Sequence, residues 1–152
     1  MVSINIWGPS CWTFFHTIIA KIKPEDFTKV RDGLLHNLRI ISQNLPCPYC
    51  SMHAKSFFQR QKNLSFNTKE EMANFFWFFH NHVNALKKKT QFPESDLSIY
   101  HNKNLRDVYS QFINHYTSKD NGLKMLSETM YRKNVAKGVH QWMRINNKSF
   151  MI

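Results

Sequence analysis

The spacing of apolar residues is the feature that most constrains the fold of this chain. After Pro24, large apolar residues recur every three or four positions, at Phe27, Val30, Leu34, Leu38 and Ile41. This period places them on one face of an α-helix. Similar spacing recurs along the chain, whereas the alternation typical of strands is hard to find. The pattern therefore predicts an all-α protein.

Local signals set the expected limits of the first helices. Gly8-Pro9-Ser10 predicts the start of the first helix, because Pro suits a first helical turn. The stretch that follows, CWTFFHTIIAKI, is apolar almost all round, as in a buried helix. The second helix opens at Pro24-Glu25-Asp26, where the acids complement the helix dipole, and it ends before Pro46.

The third helix is predicted over about residues 48–61, with Pro48 in its first turn. Thr68 and Glu71 fit a capping box for the fourth helix, which carries apolar residues from Met72 to Leu86. A short fifth helix is expected near 95–101, and helical spacing continues over 104–117 and 123–145.

These elements predict a four-helix bundle with a short fifth helix, followed by a helical C-terminal extension. We place the bundle domain at residues 1–96 and the extension at 97–152. The 152 residues are 42% hydrophobic and 14% aromatic, which is sufficient for one domain with a substantial core.

The net charge of +11 favours acidic partners such as nucleic acid, anionic lipid or a phosphate-bearing cofactor. No long basic block is present, so a dedicated nucleic-acid-binding arm is not favoured. The N-terminus lacks the pattern of a secretory signal, and the longest aromatic run, FFWFF, is too short to span a bilayer. We expect a cytoplasmic protein without membrane insertion.

The segment LPCPYCSMHA places Cys47 and Cys50 two residues apart. One interpretation is zinc, with His53 as a third ligand and His16 or Cys11 as a fourth. A zinc module usually brings a second ligand pair, which the sequence lacks, so we predict no metal site. A reduced, buried structural pair is a further alternative.

The third interpretation is a redox pair. In the first turn of a helix, Cys50 would be near the positive end of the helix dipole, so we expect a lowered pKa and an accessible thiolate. A dithiol that is oxidised must pass two electrons to an acceptor, and a flavin can take them. No GxGxxG motif is present to hold a dinucleotide in the Rossmann manner.

Three motifs resemble those of the Erv/ALR family of FAD-linked sulfhydryl oxidases. WGPSCWTFFH at 7–16 resembles the family's opening motif, LPCPYC resembles its redox-active CxxC, and FFHNHVNALKKK at 78–89 resembles its HN-x-VN motif. The order and separations also match. The form LPCPYCSMHA is most similar to the small viral members from large cytoplasmic DNA viruses.

The resemblance implies the family's helical bundle, bound FAD and a set of site residues. Cys50 would be the flavin-proximal cysteine and Cys47 the one that exchanges with substrate. Trp12 and His16 would contact the flavin cofactor, and the histidine and asparagines of HN-x-VN would hold its adenine and ribose. The implied cofactor-binding residues are Gly8, Trp12, His16, Cys50, His53, His80, Asn81, Val83, Asn84, Lys87 and Lys89.

The resemblance also implies partners. A protein dithiol, expected to be a thioredoxin-like or CxxC-bearing carrier, would reduce the Cys47–Cys50 disulfide, and electrons would pass through FAD to oxygen and yield hydrogen peroxide. We expect a homodimer that pairs through the first two helices, and a viral chain in the host cytoplasm. The alternative is a non-enzymatic basic helical module that binds nucleic acid or a virion component, with a structural or zinc-binding CxxC.

Overall fold

The computed structural model describes residues 3–118 and 123–152, and the side chains of 123–126 are outside that description. The described residues form six α-helices and three short 3₁₀ helices. The α-helices are α1 Ile4–Ala20, α2 Phe27–Ser42, α3 Pro48–Gln59, α4 Lys69–Leu86, α5 Leu105–Tyr116 and α6 Leu123–Asn146. The 3₁₀ helices are Pro24–Asp26, Glu94–Asn102 and Asn147–Ser149. The all-α prediction is confirmed.

Helix α1 begins earlier than the sequence predicted. The Ser3 hydroxyl accepts a hydrogen bond from the Asn5 N–H at 3.2 Å and caps the helix at Ile4. Pro9 therefore lies inside the helix rather than at its start. Its ring nitrogen has no N–H to donate to the Asn5 carbonyl, so the helix loses one backbone hydrogen bond at that point.

Helix α4 begins where its capping signal predicted. The Thr68 hydroxyl accepts from the Glu71 N–H at 3.2 Å. The Glu71 carboxylate accepts from the Asn67 N–H at 2.8 Å, one residue before the cap. The expected short fifth helix is present, but it is the 3₁₀ helix Glu94–Asn102 rather than an α-helix.

The hydrophobic core is centred on α1. Phe14, Phe15, Ile18 and Ile19 are almost completely buried. Phe15 meets Phe76 of α4 edge to face, with ring centroids 5.9 Å apart. This contact joins α1 to α4, and α1 packs against α5 on another side. One near-apolar helix is thus surrounded, as its composition predicted.

The C-terminal extension shares this core. Phe112 of α5 stacks on Phe14 at 4.6 Å between centroids with an interplanar angle of 13°. Val135 and Val139 of α6 belong to the same buried cluster. Helix α6 lies against α2, where a Cβ added at Gly33 would be 2.4 Å from the indole nitrogen of Trp142. Gly33 thus permits a close approach that a larger residue would obstruct.

The last residues return to the end of α1. The Lys23 N–H donates to the Ser149 carbonyl at 2.8 Å, and the Met151 N–H donates to the Lys21 carbonyl at 2.7 Å. Ile22 and Phe150 form an isolated antiparallel bridge. These bonds fix the segment after α6 to the bundle.

The regularly spaced apolar residues of α2 are core residues and do not form a free dimer face. Phe27, Leu34 and Leu38 are each at most 4% exposed within the single chain. Within the described ranges, none of the helices combines the length and apolar character needed to cross a membrane.

Candidate active site

Cys47 and Cys50 form a disulfide at the N-terminus of α3, with their Cα atoms 5.2 Å apart. Cys47 is the N-cap residue, and its sulfur accepts the Cys50 N–H at 3.2 Å. Pro48 follows in the first turn, where its missing N–H costs nothing. The predicted position of the pair at a helix start is confirmed.

Ser51 fixes the segment that leads into the disulfide. Its buried hydroxyl accepts the Leu45 N–H at 2.8 Å and lies 3.2 Å from the Cys47 carbonyl. These bonds tie the approach to α3 directly to the helix. The Cys47 backbone is therefore held in position while its side chain stays half-exposed.

A largely apolar cleft adjoins Cys50 and is enclosed by α1, α3 and α4. Phe15, Phe79 and Ala54 form part of its wall. Cys11, a buried free thiol, also lines it. Six of the predicted cofactor-binding residues line the cleft: Gly8, Trp12, Cys50, His53, Val83 and Lys87.

Trp12 joins the cleft to a second group of predicted residues. Its ring stacks on His80 at 4.2 Å between centroids with an interplanar angle of 9°. His80 Nδ1 is 3.0 Å from His16 Nε2, within hydrogen-bond distance. His16 in turn packs against Tyr100 at 4.9 Å between centroids. The two motifs at 7–16 and 78–89 therefore meet in one aromatic cluster.

Both histidines of this cluster are held neutral. Burial, together with the adjacent His80, lowers the pKa of His16 to about 3. Burial also lowers the pKa of His80 to about 4, with the positive charge of Lys89 acting in the same direction. Neutral rings can share one N–H between them, which two imidazolium rings cannot.

The two predicted asparagines of α4 lie behind the cleft. The Asn81 carboxamide donates to the Phe92 carbonyl at 2.9 Å and accepts the Phe92 N–H at 2.7 Å. Asn84 is 3.4 Å from Asn81 and is equally buried. Asn81 therefore holds the loop after α4 against the helix, and Phe92 packs beside His80 at 5.3 Å between centroids.

The lysine triplet terminates α4 in a Schellman motif. The Lys89 N–H donates to the Asn84 carbonyl at 2.8 Å, and the Lys88 N–H donates to the Ala85 carbonyl at 3.1 Å. Lys88 has φ of 55°, the left-handed conformation that this motif requires. The turn separates the outer two lysines, since Lys87 lines the cleft beside Cys50 and the charge of Lys89 acts on His80.

The expectation of a lowered pKa for Cys50 is wrong for the reduced pair. Burial raises the pKa of the Cys50 thiol to about 12, the Cys47 sulfur adds to the rise, and the charge of Lys87 opposes it. The Cys50 N–H is directed at Cys47. The N–H of the first helical turn is therefore not directed at the Cys50 sulfur, where desolvation dominates.

The walls of the cleft fit a flat aromatic ligand with polar edges. His53 Nε2 and His16 Nδ1 are buried and have no hydrogen-bond partner among the described residues. A Cβ added at Gly8 would meet only Ile4, at 4.0 Å, so protein atoms leave the cleft side of this residue open. A ligand with hydrogen-bonding atoms can satisfy His53 and approach the Gly8 backbone closely.

Sequence reasoning missed several residues of the cleft. Trp7, Tyr49 and Leu86 line it without having been predicted. Trp7 lies one helical turn before Cys11, and Leu86 lies three residues after Val83, so helical spacing from the predicted residues would have identified both. Tyr49 contacts His53 edge to face at 4.2 Å between centroids.

The arrangement of the potential metal ligands among the described residues does not favour a metal site. Among the residues with described positions, no group of three His, Cys, Asp or Glu side chains is placed to hold a metal ion. The sulfurs of Cys47 and Cys50 are bonded to each other.

Comparison with known sequences decides the family. The sequence model of the Erv1 / Alr family matches residues 9–106, well over half of the chain. The chain belongs to the Erv1/Alr family. The resemblance drawn from the three motifs is thus confirmed, and the match includes the 3₁₀ helix Glu94–Asn102 and the first residues of α5.

Individual relatives of this Erv1/Alr family member are distant. It is 29% identical over 88 residues to a protein of Invertebrate iridescent virus 3 named as an FAD-linked sulfhydryl oxidase, a match that spans 57% of this chain and 60% of the relative. A protein of Invertebrate iridescent virus 6 with the same kind of name is 28% identical over 97 residues, 60% of this chain and 87% of the relative.

A plant relative gives a similar result. The FAD-linked sulfhydryl oxidase ERV1 of Arabidopsis thaliana is 28% identical over 86 residues, which is 57% of this chain and 44% of the plant protein. The aligned regions cover 60%, 87% and 44% of the three relatives, respectively, so the chain spans only part of their lengths. No solved structure matches the chain significantly.

Proposed function

We propose that this protein is an FAD-dependent thiol oxidase that forms disulfide bonds in substrate proteins. The observation that carries the proposal is the disulfide itself, which lies between an accessible face at Cys47 and an aromatic cleft at Cys50. Family membership and the names of the relatives support it.

We assign FAD to the cleft beside Cys50. Trp12 offers an aromatic face, His53 offers an unsatisfied ring nitrogen, and Lys87 offers a positive charge. His80 stacks on Trp12 and contacts His16, which supports the position of Trp12. The positive charge of Lys89 would attract the FAD phosphates. Gly8 and Val83 form part of the wall, and Asn81 and Asn84 hold its outer loop.

The exchange steps follow from the positions of the two sulfurs. A substrate thiolate attacks the Cys47 sulfur, the Cys47–Cys50 bond breaks, and Cys50 leaves as a thiolate beside Lys87. A second substrate thiolate then attacks the substrate sulfur of the mixed disulfide and releases Cys47. The substrate gains one disulfide and loses two electrons, and the enzyme pair becomes a dithiol. FAD held in the cleft by Trp12, His53 and Lys87 would supply the two-electron acceptor for that dithiol, with oxygen as the final acceptor and hydrogen peroxide as the product.

The substrate is proposed to be a protein dithiol that reaches Cys47 directly, such as a thioredoxin-like carrier. The viral relatives support a viral chain acting in the host cytoplasm. A homodimer stays a prediction, and it would need a face other than Phe27, Leu34 and Leu38, because these side chains are buried within the chain.

Oxygen consumption tests the proposal. The FAD-loaded protein should consume oxygen when dithiothreitol is added and release one hydrogen peroxide for each disulfide formed. Matched protein with both Cys47 and Cys50 replaced by serine should retain FAD and consume none. Equal oxygen consumption by the two proteins would contradict the assignment of the pair.

A further inference from the structure

A groove adjoins Leu45, which also lines the aromatic cleft. Its near end is lined by Leu45, Pro48 and Lys55, and helix α6 forms its far wall at Glu128 and Tyr131. Leu45 and Pro48 flank Cys47 in the sequence within two residues. The groove therefore opens directly beside the cysteine that is proposed to react with substrate.

A second hollow lies between α2 and α6 and extends along α2 from Ile40 back to Gly33. Tyr131 lines both hollows. From Leu45 to Gly33 the distance is about 18 Å at the rise of a helix, which is the length of about five extended residues. The name "α2–α6 groove" denotes these two neighbouring hollows, which share Tyr131.

The lining of the α2–α6 groove suits a main chain in extended conformation. Gln43, Asn44 and Asn134 place carboxamides along it, and Tyr131 is 52% exposed at its middle. Carboxamides can donate to and accept from peptide groups, and a partly exposed tyrosine provides an aromatic surface with a polar end.

The charges near the α2–α6 groove indicate which kind of peptide segment would bind there. Lys55 and Arg132 line the first hollow together with Glu128. Glu128 is the one carboxylate among the described residues that line the two hollows. The lining therefore carries a small excess of positive charge, which attracts acidic residues over several ångströms and favours their encounter.

Resting on the proposed oxidase function, we propose that the α2–α6 groove binds the residues that flank the reacting cysteine of an acidic protein substrate. A thiolate that attacks Cys47 brings its neighbouring residues onto the surface around Leu45 and Pro48, where the groove begins. Tyr131 and Lys55 then act as specificity-determining residues. Because α6 lies beyond residues 9–106, which the family model matches, the far wall of this subsite is contributed by the extension.

Two synthetic dithiol peptides test the proposal on the full FAD-loaded chain. Both contain the same CxxC, flanked by glutamates in one and by lysines in the other. We expect kcat/KM from oxygen consumption to favour the acidic peptide by about tenfold at low salt, mainly through KM, and the preference to shrink as salt screens the charges. Dithiothreitol, which has no flanking residues, tests the oxidase function separately.

Two variants locate the preference. Lys55→Glu and Tyr131→Glu should each lower kcat/KM for the acidic peptide several-fold and reduce the ratio between the peptides. Lys103→Glu is the matched control for Lys55→Glu, since it changes the net charge equally at an exposed lysine that lines neither hollow. FAD content and thermal unfolding report whether each variant is folded.

The outcomes separate the two proposals. If the unmodified chain oxidises dithiothreitol and treats both peptides alike, the groove proposal is overturned and the oxidase function stands. An equal loss of preference in Lys55→Glu and Lys103→Glu would assign the preference to overall charge and also overturn the groove. Failure to oxidise dithiothreitol would overturn the oxidase function first. The peptide comparison on the unmodified chain holds even if a variant does not fold.

Discussion

The bundle that carries the motifs and the C-terminal extension contribute to one hydrophobic core, yet they differ in what their sequences reveal. In the bundle, Trp12, His80 and the cysteine pair stand at spacings set by chemistry. In the extension, Phe112 stacks on Phe14 and Trp142 packs on Gly33, with no motif around either. Reacting groups restrict sequence strongly, whereas packing accepts many apolar solutions.

The bundle and the extension also form different walls of the α2–α6 groove. The bundle contributes Cys47 and the near wall of the α2–α6 groove, and the extension contributes Tyr131 and the far wall. Changes in the bundle should therefore act on chemistry, and changes in the extension should act on stability and on the choice of substrate.

The largest expected effect is at Cys50. Cys50→Ser removes the sulfur next to the cleft, so oxygen consumption with dithiothreitol should fall by about a thousandfold or more, as for loss of a reacting nucleophile. FAD content and the unfolding temperature should stay close to those of the unmodified chain. Full turnover in this variant would show that electrons do not pass through Cys50.

The two tryptophans make a matched pair across the regions. Trp12→Ala should weaken FAD binding by about tenfold or more, because the aromatic face of the cleft is lost. Trp142→Ala should instead lower the free energy of unfolding by about 2–4 kcal/mol while the bound-flavin spectrum stays unchanged. Flavin titration and denaturant unfolding on both variants measure the contrast. If Trp142→Ala lost flavin and Trp12→Ala kept it, the assignment of the cofactor site to the bundle and of a packing role to Trp142 would be wrong.

Substitutions at one glycine of α2 and one of α6 test how closely these two helices pack. Gly33→Ala places a methyl group against the Trp142 indole, so we expect about 1–3 kcal/mol of destabilisation from overpacking. Gly138→Ala on α6 has open space around its Cβ position. It should stabilise the helix by about 0.5–1 kcal/mol. Denaturant unfolding would contradict the close approach if Gly33→Ala were as stable as the parent.

The buried histidine pair predicts a dependence of stability on pH. The folded-state pKa values of His16 and His80, about 3 and about 4, lie below the 6.5 of a free histidine. The unfolded chain then binds more protons between these values, so the stabilisation is complete above about pH 6.5 and declines as the pH falls toward 4. Unfolding temperatures across this range should fall less steeply in His80→Phe, which keeps a ring against Trp12.

Sequence signals located what depends on neighbouring residues. Thr68 marked the start of α4, and the period of Phe27, Leu34 and Leu38 marked the buried face of α2, because caps and helix faces are set within a few residues. The start of α1 was missed because Pro9 is usual in a first turn, whereas Ser3 supplied the cap.

Other features depend on residues far apart in the sequence. The raised pKa of Cys50 comes from burial, which no spacing within CPYC reports. The role of Asn81 in holding Phe92 depends on a loop that folds back across the helix. The groove beside Cys47 exists only because α6 packs on α2, and nothing in either helix alone predicts it.

The visible absorbance spectrum of the purified protein, recorded before and after addition of dithiothreitol, tests the central claim most directly. The FAD-loaded protein should show a flavin band at about 450 nm that bleaches with the dithiol and returns on aeration. Cys50→Ser should show the same band without bleaching. A chain that retains no flavin after FAD is supplied, or a bound flavin that dithiothreitol bleaches equally in Cys50→Ser, would contradict the central claim.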